Sequence, residues 1–237
     1  MRTQYEAVPN LLELHDDPEA STYRQLIRDA RRSHRCPVLL YDATLERCGW
    51  NTVGGDQAHV DADPYEVLAG WWPGPCLPDC PCDEPLAAEF PPLARTGEDL
   101  SQSPATFASA SGFVRAVREL SSLAVVQAGR PADVPLALQW SGACNYASHD
   151  LARLTAVLRS WEERFGALVL FMAPDTLLLS VARPPRRSEE CRSVAAEHLA
   201  FCPDQIDPQT EIRTRPLTLS EYADSLRGEP LWRFWWD

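Results

Sequence analysis

The chain has 237 residues, 45% of them hydrophobic, with eight tryptophans and a formal net charge of −12. Such a composition can bury a sizeable core, and a diffuse negative charge disfavours nucleic acid and anionic membrane surfaces while suiting a basic protein partner. All 22 basic residues are arginine, which excludes a Schiff-base lysine, a phosphate-loop lysine, a kinase strand lysine and a Ser–Lys dyad.

Met1 to Asp17 has no apolar core of signal-peptide length, and no later stretch reaches the apolar length of a membrane span, so a cytoplasmic chain is expected. Eight cysteines in that compartment are expected as thiols or metal ligands, not as a disulfide framework. Asp17-Pro18-Glu19 opens a helix whose apolar stripe is Tyr23, Leu26, Ile27 and Ala30. Arg31, Arg32 and Arg35 close it, where basic groups complement the helix dipole. Pro37 to Tyr41 reads as a short strand. Asp63-Pro64-Tyr65-Glu66 is a capping box opening a helix with Leu68, Trp71 and Trp72.

From about residue 73 to 111 proline is frequent and periodicity is lost, so an irregular excursion outside the core is expected. Phe113 to Leu120 suggests a short helix. Leu123 to Gln127 and Leu136 to Trp140 read as strands, and residues 141–148 as a polar loop. Leu151, Leu154, Leu158, Trp161 and Phe165 mark one face of a central helix, closed by Gly166 in a left-handed cap. Ala167 to Met172 is an uninterrupted apolar strand, and Thr176 to Ala182 an alternating one. Ser188 opens a helix to about Cys202. Thr218-Leu219-Ser220-Glu221 opens another, closed by Gly228. Leu231 to Trp236 is the last strand, expected in or near the sheet interior because both of its faces carry tryptophan.

These elements predict an α/β (α+β-like) fold with a mixed β-sheet flanked by helices. Its C-terminal order is β-α-β-β-α-α-β. Residues 1–135 supply helices and strands with the excursion at about 73–111, packed on the same body as a C-terminal α/β domain over 136–237.

Gln139-Trp140 with Gly142 and Asn145, Trp161 to Gly166, Asp175-Thr176-Leu177, Cys202-Pro203-Asp204 and the ending Trp232-Arg233-Phe234-Trp235-Trp236-Asp237 together resemble a bacterial family, domain-of-unknown-function family 4253. Asp63 to Trp72 resembles an upstream segment of full-length members. The resemblance implies a compact α/β domain and a bacterial source. It implies no activity.

Four clusters carry candidate chemistry. Cys76, Cys80 and Cys82, with Cys48 or His59 as a fourth ligand, are weak zinc candidates, because a structural site prefers a two-residue gap between thiolates; no metal and no cofactor is expected. His198 and Cys202 share a helix face with Cys191 and Ala195, as a thiolate–imidazole pair would require, or as core residues do. The loop around Asn145 precedes a helix N-terminus, where ligand loops sit. At the C-terminus, Trp235, Arg233 and Asp237, together with Trp140, are candidate binding residues. The leading expectation is a non-catalytic protein-interaction module, of immunity or regulatory type, with an acidic surface. The alternative is an enzyme of unassigned chemistry using Asn145, His198, Cys202 and Asp204.

Overall fold

The computed structural model describes residues 8–16, 19–41, 60–75, 84–95, 104–117, 119–140, 142–143, 150–206 and 217–236. Its centre is one mixed sheet of six strands: β1 (Leu11–His15), β2 (Arg35–Tyr41), β3 (Ser121–Gln127), β4 (Ala167–Met172), β5 (Thr176–Val181) and β6 (Leu231–Trp235). They lie in the order β1-β3-β2-β4-β5-β6. Only β2 and β4 run parallel; the other neighbours are antiparallel. β2 therefore joins the N-terminal half to the C-terminal half from inside the sheet, and its Cys36, Val38, Leu39 and Leu40 are fully buried.

Helices cover both faces. α1 (Ala20–Ser33) and α3 (Pro104–Ala116) pack together on one face, where Phe113 meets Phe171 edge-on. On the other face lie α2 (Pro64–Trp71), α5 (Leu151–Phe165), α6 (Ser188–Phe201) and α7 (Leu219–Ser225). The apolar faces expected for α1 and α5 are the buried ones. Gly166 takes a left-handed φ of 61°, and a Cβ there would come within 2.7 Å of the Ala182 Cβ, so glycine is required both by backbone and by space.

Three expectations are corrected. Leu136 to Trp140 is not a strand. A 3-10 turn at Pro131–Asp133 runs into a short helix, α4 (Val134–Ala137), and Gln139 sits at a positive φ of 54°. The chain order β-α-β-β-α-α-β holds with β3 as its first strand, α4 intervening before the first long helix. Second, the proline-rich excursion is not wholly outside the core. Phe90 and Ala94 are buried in a strap over residues 84–95, and Ala110 and Val114 of α3 are buried too. Tertiary contacts hold that strap: the Trp72 ring N–H donates to Ala87 O at 3.0 Å, and Tyr65 Oη donates to Phe90 O at 3.3 Å. Third, β6 is an edge strand. Its Trp232, Phe234 and Trp236 are buried on the helical side, while Arg233 on the opposite side is exposed. Burial of that one face under the helices shelters three aromatics without a second neighbouring strand among the described residues.

Candidate functional site

Of the described candidates, His198 and Cys202 lie at the seam between α5, α6 and the outer half of the sheet. At its centre Trp161 stacks on Phe234 with ring centroids 5.4 Å apart and planes 9° from parallel. Phe201 and Trp232 meet this pair at steep angles, and Phe165 in turn meets Trp232 edge-on. Such offset and edge-on packing suits the aromatic quadrupole.

His198 lies inside this aromatic wall, fully buried, with Trp232, Phe234 and Trp161 rings at 4.6, 4.8 and 5.0 Å. Its Nδ1 stands 3.0 Å from Tyr222 Oη. Burial, aided by the Arg164 charge, pushes its pKa down to about 3, so the imidazole is neutral. Cys202, one helical turn on, donates its S–H to Trp235 O at 3.0 Å and accepts from Gln205 Nε2 at 3.7 Å. Burial pushes its thiol up to about 12. Of the two readings of His198 and Cys202, the structure shows core residues: both are neutral and each is bonded elsewhere, since an apolar wall cannot support the separated charges that a thiolate–imidazole pair needs. Asp204 follows in a 3-10 turn at Pro203–Gln205 and is nearly buried. Among the described residues no three His, Cys, Asp or Glu side chains are grouped to hold a metal ion. Asn145, Asp237 and the Cys76, Cys80 and Cys82 cluster, with Cys48 and His59, lie outside the described residues.

Trp140, expected at a binding surface, is fully buried. Its ring N–H donates to Ala173 O at 2.8 Å, and it meets Trp236 edge-on at 5.5 Å. Arg233 and Trp235 do reach the surface. They lie with Leu231 on the face of β6 away from α5 and α6, and the Trp235 ring N–H is held by Asp175 Oδ2 at 3.2 Å. Arg233 makes no hydrogen bond or ion pair with another described residue. The structure thus separates the candidates into a sealed group (His198, Cys202, Trp140) and an open pair (Arg233, Trp235).

Residues 122–237 match the family model described as Domain of unknown function (DUF4253). This chain carries a DUF4253 domain. No curated protein and no solved structure matches it. The DUF4253 segment begins within β3, so it supplies β3, β4, β5 and β6 but not β2, which lies between β3 and β4. The DUF4253 sheet is completed by the N-terminal part of this chain. Several of the motif residues have structural duties. A Cβ at Gly142 would fall 2.0 Å from the Trp140 ring and 2.7 Å from Pro174 O, so only glycine lets that tryptophan pack. Asp175 receives Trp235 through its side chain and the Trp236 N–H through its carbonyl.

Sequence reasoning missed the polar heart of the DUF4253 domain. Glu197, fully buried, accepts from Trp161 Nε1 at 2.7 Å, from both Arg164 terminal nitrogens at 2.9 and 2.6 Å, and from the Ala94 N–H at 2.8 Å. Arg164 Nη1 also donates to Ala94 O at 2.9 Å. This cluster pins the 84–95 strap to α5 and α6. A second buried carboxylate, Glu162, accepts from Arg31, Arg130 and the Ala132 N–H, tying α1 and the turn before α4 to α5. One signal was present: Glu197 and His198 interrupt the otherwise apolar run Val194 to Phe201, where a solvated face has no place.

Proposed function

We propose that this protein is a non-catalytic protein-interaction module, of the immunity or regulatory kind, that binds a basic protein partner through its acidic surface and the exposed flank of β6. One observation carries the reading: the candidate nucleophile and base Cys202 and His198 are neutral and buried, His198 among aromatic rings, whereas Arg233 and Trp235 reach the surface. General acid–base and thiolate chemistry need groups that titrate near working pH and touch a substrate. Recognition needs aromatic and arginine side chains at a surface, held in place beforehand, as Asp175 holds Trp235. The formal charge of −12 would speed encounter with a basic partner and repel nucleic acid and anionic membranes. Among the described residues no helix is long and apolar enough to cross a membrane; the compartment we propose is the bacterial cytoplasm, with no cofactor.

Tagged full-length chain, expressed in the native host and recovered with its bound proteins for mass spectrometry, tests the reading. A basic protein retained by the wild type and lost from Arg233→Glu and Trp235→Ala is the expected result. Turnover of a small molecule that His198→Asn abolishes in a folded protein would replace the module by an enzyme.

A further inference from the structure

The two edges of the sheet are built differently. β1 carries a bulge between Leu11 and Glu13, and Glu13 is paired with Arg35. Bulges and edge charges are how proteins turn an edge away from strand addition. β6 has no bulge: its register with β5 runs unshifted from Leu231 to Trp235.

Two bonds fix which way the β6 backbone points. The Val181 N–H donates to Pro230 O at 2.8 Å, and the Trp236 N–H to Asp175 O at 3.0 Å. Antiparallel pairs alternate, so Pro230, Trp232, Phe234 and Trp236 turn their backbone groups to β5. Leu231, Arg233 and Trp235 turn theirs outward. Two of these outward groups are occupied: the Leu231 N–H by Glu229 Oε1 at 3.1 Å, and Trp235 O by the Cys202 thiol at 3.0 Å. Leu231 C=O, Arg233 N–H, Arg233 C=O and Trp235 N–H have no partner among the described residues. These groups are centred on Arg233, with Cys202 and the 3-10 turn at Pro203–Gln205 packed beside the Trp235 end. Around them stand an exposed cation without a described counter-ion and an aromatic ring fixed by Asp175.

We propose that the edge of β6 accepts an extended segment of the partner protein as a seventh strand, with a carboxylate on that segment beside Arg233 and apolar side chains against Trp235 and Leu231. This deepens the interaction-module reading and rests on it. Backbone hydrogen bonds supply affinity in strand addition, and alternate side chains supply selection. The chemistry of the occupant follows from charge. A second copy, paired about Arg233, would set Arg233 against Arg233 and bring together two chains each of net charge −12. An acidic side chain answers Arg233 locally, while the basic remainder of the partner answers the acidic body.

The probe is the capped peptide Thr-Leu-Thr-Glu-Thr-Leu-Thr, titrated into isotope-labelled full-length protein by nuclear magnetic resonance. Expected are shifts and slowed exchange at the Arg233 and Trp235 amides. N-methylation of the peptide at one set of alternate residues should weaken binding at least tenfold, and at the other set leave it within about twofold, because only one set of N–H groups faces β6. A peptide with Lys for Glu should bind the wild type more weakly and Arg233→Glu more tightly, a reversal that misfolding does not produce. No shift at these amides with millimolar peptide, or equal effects of the two methylation sets, overturns strand addition. Binding confined to another surface overturns it too, yet leaves the interaction-module reading standing. Self-association of Arg233→Ala without peptide binding would show that Arg233 only guards the edge, and likewise overturns it.

Discussion

Removing the Glu197 carboxylate is expected to be the most damaging single side-chain truncation outside the aromatic core. Glu197 is fully buried and accepts four hydrogen bonds, two of them from Arg164, whose side chain is 18% exposed. Glu197→Ala leaves a largely buried guanidinium, an indole N–H and the Ala94 N–H without their acceptor. Breaking a buried pair on one side costs about 3–5 kcal/mol, chiefly because the remaining charge is stranded. Against a typical domain stability of about 5–15 kcal/mol this is a large fraction. The assay is urea unfolding followed by tryptophan fluorescence, with limited proteolysis of the strap at residues 84–95, which Glu197 and Arg164 hold through Ala94. The variant should lose about 3–5 kcal/mol, and the strap should be cut before the body unfolds. Adding Arg164→Met should restore part of the loss, since the stranded charge is then gone. A loss below about 1 kcal/mol, or an additive double variant, would refute the argument that this network is held by mutual neutralisation.

Other outcomes follow from the same packing. His198 binds a proton near pH 6.5 when unfolded but only near pH 3 when folded, so the unfolded state holds more protons between those values and stability falls as pH drops. Unfolding free energy should fall by about 1.4 kcal/mol per pH unit from His198 alone below about pH 6, and His198→Phe should remove that share of the slope. Trp236→Ala, emptying a site that is 1% exposed, should cost about 3–5 kcal/mol by thermal or urea unfolding, and truncation after Pro230 should leave no cooperative transition. The DUF4253 segment 122–237 expressed alone should not unfold cooperatively in calorimetry, because β3 and β4 would face the gap left by β2; a sharp transition from that fragment would show that the sheet closes without it.

The long elements were legible because their signals were strong and local. Five apolar residues at helical spacing and a glycine in the cap position define α5, and an uninterrupted apolar run defines β4. α4 was misread because Leu136, Leu138 and Trp140 alternate over only five residues, a span in which strand and turn-plus-helix look alike; burial of Val134, Leu138 and Trp140 follows from the turn geometry instead. β1 was not recognised: its Leu12 and Glu13 are exposed, and its pairing with β3 is interrupted by a bulge, so its pattern is weak. The strap over residues 84–95 shows the limit most clearly. Its proline content speaks for extended backbone, but nothing local says that Phe90 and Ala94 are covered. That depends on Glu197 and Arg164, which lie 103 and 70 residues from Ala94 in the chain. Among the candidate site residues, His198 and Cys202 were found as neighbours on a helix face, but the neutrality of His198 follows from burial among Trp161, Tyr222, Trp232 and Phe234, which no local pattern joins to it.

The central claim is that binding resides at the exposed flank of β6 while His198 and Cys202 serve the core. Calorimetric titration of the partner recovered from the host into wild type, Arg233→Glu and His198→Asn tests it most directly, with the melting temperature of each recorded alongside. The account predicts that Arg233→Glu weakens binding at least tenfold while the melting temperature stays within a few degrees, and that His198→Asn lowers the melting temperature while binding below it is unchanged. Unaltered binding by Arg233→Glu, together with lost binding by a fully folded His198→Asn, would contradict it.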